Sequence, residues 1–335
     1  MKIKMLYLSC HSVLEWHEVS LFAELGIEVF VLGSYLDPHN PVDTLRPPIL
    51  SIQPNKDLIS IAPFREKLTK EFVDYFDVIY IMHIPQWISA NWEVIKNKIV
   101  IWRSIGQSIQ IQEERIKPYR ESIKIVRYSP REQTIPGYIG EDAIIRFHAD
   151  PEELNNWNGQ TQQIITIAQD MQARETACNY KLFESVTKGL NRKLYGNSTE
   201  KAPLELRGGK VSYEQLKQIL KDNRCYFYTG THPASYTLNF IEALMTGIPL
   251  VCLGPQHGNA HYYNLNTYEI PDIIQNGYNG FWSDNVKELR IYCENLLSSS
   301  DLAKEIGQRG RETAIKYFGK ENIKAQWKDF FTKLS

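Results

Sequence analysis

The chain has 335 residues, of which 43% are hydrophobic and 23% charged, with a formal net charge of −1. That length holds two α/β cores, and the near-neutral balance lacks the global basic footprint of a nucleic-acid binder. The five cysteines, Cys10, Cys178, Cys225, Cys252 and Cys293, form no CxxC pair and sit mostly in apolar runs. They read as reduced thiols in a cytoplasmic protein with no metal centre, and no run approaches the roughly 18 apolar residues of a spanning helix.

Strand and helix patterns alternate from the start. Ile3 to Ser9 is a short apolar strand, too short for a signal peptide. A helical stretch around Glu15 to Leu25 stops at Gly26, and Ile27 to Leu32 is a second strand. Strand, helix, glycine stop and strand make a βαβ unit. Asp77 to Met82, Ile99 to Trp102, Ile123 to Tyr128 and Ala143 to Phe147 add further strands. Their near-continuous apolar character predicts a parallel sheet covered on both faces.

The polar stretch Asp150 to Gln163, with Pro151, Asn155, Asn156 and Gly159, reads as a linker between domains. The alternation then restarts. Gln163 to Ala168 is a strand, and a helix runs through Lys181 to Gly189. Arg192 to Tyr195 and Cys225 to Tyr228 are strands. Leu238 to Met245 is a helix ended by Gly247, and Pro249 to Leu253 is the next strand. Helical segments at Asn285 to Ser298, Asp301 to Phe318 and Lys320 to Leu334 follow. Trp327, Phe330 and Phe331 give the last of them an apolar face. The division expected is 1–155 and 160–319, with 320–335 packing back on the first domain.

Tyr228 to Gly254 reads YTGTHPASYTLNFIEALMTGIPLVCLG. It is a strand, a polar turn, a helix, a glycine stop and a strand. The turn Gly230, Thr231, His232, Pro233, Ala234 and Ser235 leads into a helix start, where free amides and the helix dipole attract a phosphate. Glu242 lies among apolar neighbours in that helix, so its carboxylate needs a partner, and a ribose diol would serve. A helix packed on a sheet, with Glu242 capping a nearby loop, explains the same residues.

This stretch resembles the donor-site motif of retaining glycosyltransferases of family four, which have the GT-B fold of two Rossmann-like domains facing across a cleft. Ala234, Ser235, Tyr236, Thr237, Leu238, Glu242, Ala243, Gly247 and Pro249 fall on the motif. The resemblance gives Glu242 the donor ribose, and it places Ala234 where the family has a glutamate on the donor sugar. Tyr268 to Phe281 is similar to the family's loop ending in Asn-Gly-Phe, and the match covers roughly 160 to 330. After the strand Ile164 to Ala168, the family's basic pair for the pyrophosphate maps to Gln169 and Arg174, and a guanidinium at Arg174 keeps that function. Gly208, Gly209, Lys210 and Val211 match the loop near the nucleobase.

The first half is similar to the family only in outline. His83 ends the strand Asp77 to Met82, as a family histidine does near the cleft. Arg103, with Ser104, stands where the family often has a histidine on the donor sugar. Cys10, His11 and Ser12 replace the glycine-rich loop after the first strand. The resemblance therefore implies transfer of a sugar from a nucleotide diphosphate sugar to a hydroxyl of a carbohydrate or lipid-linked acceptor, as in polysaccharide synthesis. Retention of configuration and independence of metal or other cofactor belong to the same expectation. The catalytic set would be His83, Arg103, Arg174 and Glu242. Gln169, Gly209, Val211, Gly230, Thr231 and Ser235 to Leu238 would complete the donor site. The rivals are a nucleotide-sugar epimerase of the same fold and a scaffold that has lost catalysis. Between Lys96 and Arg131 there are nine Lys or Arg against three Asp or Glu, a net of +6 that would suit peripheral contact with an anionic membrane.

Overall fold

The computed structural model describes residues 3–33 and 55–334. The apolar runs become strands, the central ones largely buried and those at the sheet edges partly exposed, and each pairs in parallel with its neighbours. In chain order these are β1 (Lys4–Leu8), β2 (Glu28–Leu32), β3 (Val78–Met82), β4 (Ile99–Arg103), β5 (Lys124–Arg127) and β6 (Ala143–Ile144). β7 (Thr161–Ile167), β8 (Arg192–Tyr195), β9 (Arg207–Gly209), β10 (Asn223–Tyr228), β11 (Leu250–Leu253) and β12 (Phe281–Ser283) follow. They build two six-stranded sheets, ordered β2-β1-β3-β4-β5-β6 and β12-β11-β10-β7-β8-β9.

The chain divides into two compact units. One holds the residues up to Phe147 together with those from Ile323 onward, and the other holds His148–Asn322. The polar stretch read as a linker is not where the chain passes between them. It belongs to the second unit, tied there by Trp157 Nε1 donating to Asn223 O at 2.8 Å and Arg311 Nη2 donating to Pro151 O at 2.7 Å. Backbone carbonyls in a polar loop accept from side chains as readily as water does, so polarity alone does not make a linker.

In the first unit the core lies between strands and helices. Leu6, Ile79, Ile81 and Trp102 pack with Phe72, Phe76, Ile88 and Ile95. The helix Ser12–Glu24 starts three residues ahead of its predicted position because His11 caps it, Nδ1 accepting from Leu14 N at 3.4 Å. The helix Lys320–Leu334 buries Ile323, Trp327, Phe330 and Phe331. Trp327 and Phe331 meet the Phe22 ring edge-on, at 5.0 and 5.5 Å.

The second core gathers Ile164, Phe183, Val186, Cys225, Phe227, Val251, Leu253 and Leu289. Helix Leu238–Thr246 is nearly all buried and stops at Gly247, whose φ of 92° suits the glycine. Gly307, in the helix Ser300–Phe318, lies so close that a Cβ there would collide with Gly247 O. Helices Gln86–Ile95, Gln110–Ile116 and Tyr213–Asp222 and strands β9 and β12 are additions to the elements expected from sequence. The cysteines are free thiols, Cys10 half-buried and the other four buried. Among the described residues no helix is long and apolar enough to cross a membrane.

Candidate functional site

Strand order locates the ligand edge of each sheet. Open α/β sheets bind ligands outside the carboxyl ends of the strands, where the order reverses. In the second unit the chain begins at β7 and then leaves in opposite directions, to β8–β9 and to β10–β12. The reversal lies between β7 and β10. The segments after these strands are Ala168–Arg174 and Thr229–Leu238, so topology brings together residues 55 and more positions apart in sequence.

The two segments are tied to one another. His232 N donates to Ala177 O at 2.8 Å, and Asn179 Nδ2 donates to Thr229 O at 3.3 Å. His232 Nε2 meets His257 O at 2.8 Å, which makes that nitrogen the protonated one. Helix Leu238–Thr246 is anchored at its start to both central strands. Tyr228 Oη accepts from Thr237 N at 3.0 Å, and the Asn239 amide donates to Ile167 O. The side chain of the N-cap Thr237 accepts from no first-turn amide, so those of Leu238 and Asn239 remain for an anion.

Of the residues singled out in the sequence, Gln169, Arg174, Gly230, Thr231 and Ser235 to Leu238 meet at this reversal. Arg174 is exposed, its Nη1 3.5 Å from Gln169 O. Gln169 turns its Oε1 to Asn197 N at 2.8 Å, which leaves its amide group as a donor. One backbone assignment changes. The Thr237 amide is already used by Tyr228, and the Tyr236 ring is core, 3% exposed and edge-on to Phe318 at 5.3 Å. Glu242, one turn into the helix, is 2% exposed; the pKa of the Tyr226 phenol is pushed up chiefly by burial, then by Tyr228, with Glu242 adding to it.

Beside Gln169 opens a groove of about 420 Å³, lined by Gly196–Glu200 and Arg207–Lys210. Gly208 cannot carry a Cβ without meeting the Tyr195 ring and Leu194 O, and Gly209 has a φ of +78°. These are the glycines expected at the base. Gly209 lines the groove, whereas Val211 lies just beyond it, leading into the helix Tyr213–Asp222.

In the first unit the order reverses between β1 and β3, beside Ser9–His11 and His83. His83 takes a φ of 63° and is 6% exposed. Its Nδ1 is buried without a hydrogen-bond partner. Burial pushes its pKa down to about 4, so the imidazole is neutral near pH 7. Arg65, which the sequence reading passed over, donates to Ser9 O and lies 5.0 Å from the Trp87 ring. Its only sequence signal is an arginine in a short polar segment.

Arg103 corrects the sequence reading. It is fully buried, with Nε on Glu18 Oε1 at 2.9 Å and Nη1 on Arg127 O at 2.9 Å. Glu18 also accepts from Tyr7 and Tyr80, at 2.7 and 2.9 Å. A guanidinium spent in that network is a core strut rather than a ligand contact. Ser104 is likewise internal, bonded to Glu132 at 2.7 Å.

Acids outside the +6 segment offset only part of its charge, and one of its pairs is internal. Lys96 pairs with Glu93, Arg120 and Lys124 with Asp142, and Arg127 with Glu113. Lys98 donates to Phe76 O at 2.7 Å.

No protein-family model matches the chain, and no curated protein matches it. Solved structures do. Sucrose-phosphate synthase of Thermosynechococcus elongatus superposes over 99% of each chain with a TM-score of 0.74 at 13% identity. Anabaena HepE in complex with UDP and glucose superposes over 98% of this chain and 99% of its own, with a TM-score of 0.69 at 13% identity. A glycosyltransferase from Rickettsia africae matches over 99% and 98%, with a TM-score of 0.67 at 14% identity. The chain has the GT-B fold. In this GT-B chain each sheet carries its own reversal point, and the second holds most of the residues assigned to a donor.

Proposed function

We propose that the protein is a nucleotide-sugar-dependent glycosyltransferase, moving a sugar from a nucleoside diphosphate to a hydroxyl of a carbohydrate or lipid-linked acceptor. One observation carries the reading. The reversal point of the second sheet joins an exposed arginine, an uncapped helix start and a glycine-shaped groove along one edge. That is the chemistry of a diphosphate beside a nucleoside. The fold shared with a HepE structure containing UDP and glucose supports it.

In this reading the base lies in the groove at Gly208 and Gly209, and Glu242 accepts from the ribose hydroxyls. Arg174 and the first-turn amides neutralise the diphosphate as the glycosidic bond breaks, charge stabilisation that calls for no metal. The proposal includes retention of configuration. It also includes contact of 96–131 with anionic lipid, through the exposed Arg115 and Lys117.

The test is a panel of UDP, GDP and ADP sugars, with free diphosphate followed with and without chelator. Turnover with one donor in the presence of chelator is the expected result. Glu242→Ala and Arg174→Ala should each remove a charge-assisted hydrogen bond of roughly 1.5–3 kcal/mol, about ten- to a hundred-fold in affinity for the free diphosphate. Wild-type affinity in both variants, measured by calorimetry, would sink the donor-site assignment.

A further inference from the structure

Between β11 and Tyr268 the chain makes a loop that carries Tyr262 and Tyr263, 52% and 47% exposed. Their rings lie 4.5 Å apart at an angle of 50°, and Tyr262 lies 6.0 Å from the His232 ring. Single exposed aromatics are ordinary. Two adjoining rings presented on a braced turn call for a reason.

The bracing is extensive. Asn259 Oδ1 accepts from Tyr268 N at 3.0 Å, and its Nδ2 donates to Pro255 O at 3.0 Å. His257 Nε2 meets Asp284 O at 3.1 Å, and His261 Nε2 meets Gln256 O at 2.9 Å. Gly258 packs so tightly on the Tyr268 ring that a Cβ there would collide. The turn that carries the tyrosines is therefore fixed before any ligand arrives, which lowers the entropy lost on binding.

Their position along the sheet names the ligand. The groove lies at the ends of β8 and β9, and the diphosphate is assigned to the reversal between β7 and β10. The next strand in the order is β11, and its carboxyl end feeds this loop. From β8 to β11 is three strand spacings, about 14 Å. A nucleoside, two phosphates and a sugar laid along that edge put the sugar at the loop. A pyranose has a C–H face that stacks on a tyrosine ring and a hydroxyl rim that a phenol can bond.

We propose that Tyr262 and Tyr263 form the platform for the transferred sugar of the donor. This rests on the glycosyltransferase reading. The experiment measures binding of UDP-glucose, GDP-mannose and ADP-glucose, each beside its own free diphosphate, for wild type and for Tyr262→Ala, Tyr262→Phe and Tyr263→Ala. Taking the donor that wild type binds, each alanine variant should weaken the nucleotide sugar about tenfold and leave the free diphosphate within twofold. Tyr262→Phe should restore most of the loss, because the ring does the stacking.

Equal loss for sugar and free diphosphate would overturn the platform, since the tyrosines would then only shape the loop. Unchanged donor binding would overturn it too, including the case in which only the acceptor KM rises. Failure of wild type to bind any of the nucleotides would remove the glycosyltransferase reading itself, and the platform with it.

Discussion

Two side chains show how a residue's role depends on partners distant in sequence. Arg103 ends an apolar strand and is followed by Ser104-Ile105-Gly106, so by local pattern it points at a ligand edge. Its acid partner is Glu18, 85 residues earlier, and only the pairing of β1, β3 and β4 brings them together. Leaving that carboxylate buried and unpaired should cost about 3–5 kcal/mol. Arg103→Ala should therefore lower the melting temperature steeply, and Glu18→Ala should do the same. Nucleotide affinity in the folded fraction should stay near wild type. His83 makes the opposite case, since its place at a strand end was legible and its ionisation was not. Burial lowers its pKa from 6.5 to about 4. Between these values the unfolded chain binds a proton that the native imidazole refuses, so stability is complete above pH 6.5 and falls as pH drops towards 4. The shift corresponds to about 3 kcal/mol. Asparagine tolerates the left-handed backbone at this position. Denaturant titrations from pH 7 to pH 4 should show His83→Asn losing less stability than wild type by about that amount. Equal losses would contradict the assignment.

Helices and strands were legible where a single run of residues decides them. Leu238–Thr246 was readable because an apolar stretch meets a glycine stop, and the structure ends it at Gly247 with φ positive. Tyr213–Asp222 was not read, although Ser212 and Gln215 form a capping box. Tyr213, Leu216, Ile219 and Leu220 recur at helical spacing, so the period was present in the sequence and went unread. Strand order was not legible at all, because β7 is joined to β10 by no local signal, yet that order positions the donor residues. The groove was half legible, from its paired glycines but not from Gly196–Glu200. One packing detail controls how Glu242 is held. Helix Ser300–Phe318 approaches helix Leu238–Thr246 closely at Gly307, and at Gly310 a Cβ would crowd Leu244 and Asn279 O. Gly307→Ala would force the helices apart at a typical overpacking cost of about 1–3 kcal/mol. The expected result is a lower melting temperature together with weaker nucleotide binding, because the Glu242 helix shifts with its neighbour. An unchanged melting temperature would show that the contact has slack.

For the molecule as a whole, the repeated strand–helix alternation was enough to predict two parallel α/β sheets. The return of the chain to the first unit was readable to within a few residues from the apolar face of the last helix, whereas the first crossing, at Phe147–His148, was placed too late, since a polar loop and a polar linker have the same composition. The contribution of the last helix to the first unit rests on three aromatic side chains. Trp327 is 1% exposed and lies against Phe22 and Tyr80. Trp327→Ala should cost about 3–5 kcal/mol in the first unit. Hydrogen exchange should rise in β1, β3 and β4 and stay at wild-type rates in β7, β10 and β11. Uniform acceleration across both sheets would show instead that the units unfold as one. The same helix sets an order of assembly during translation. Its apolar face belongs to a core whose other members are made first, so Phe22 and Tyr80 stay uncovered on the ribosome until residue 331 has emerged. All the strands of the second sheet are synthesised before that residue. The part of the chain made first is thus the part completed last, and through most of synthesis its uncovered aromatic face is a surface on which a chaperone can act.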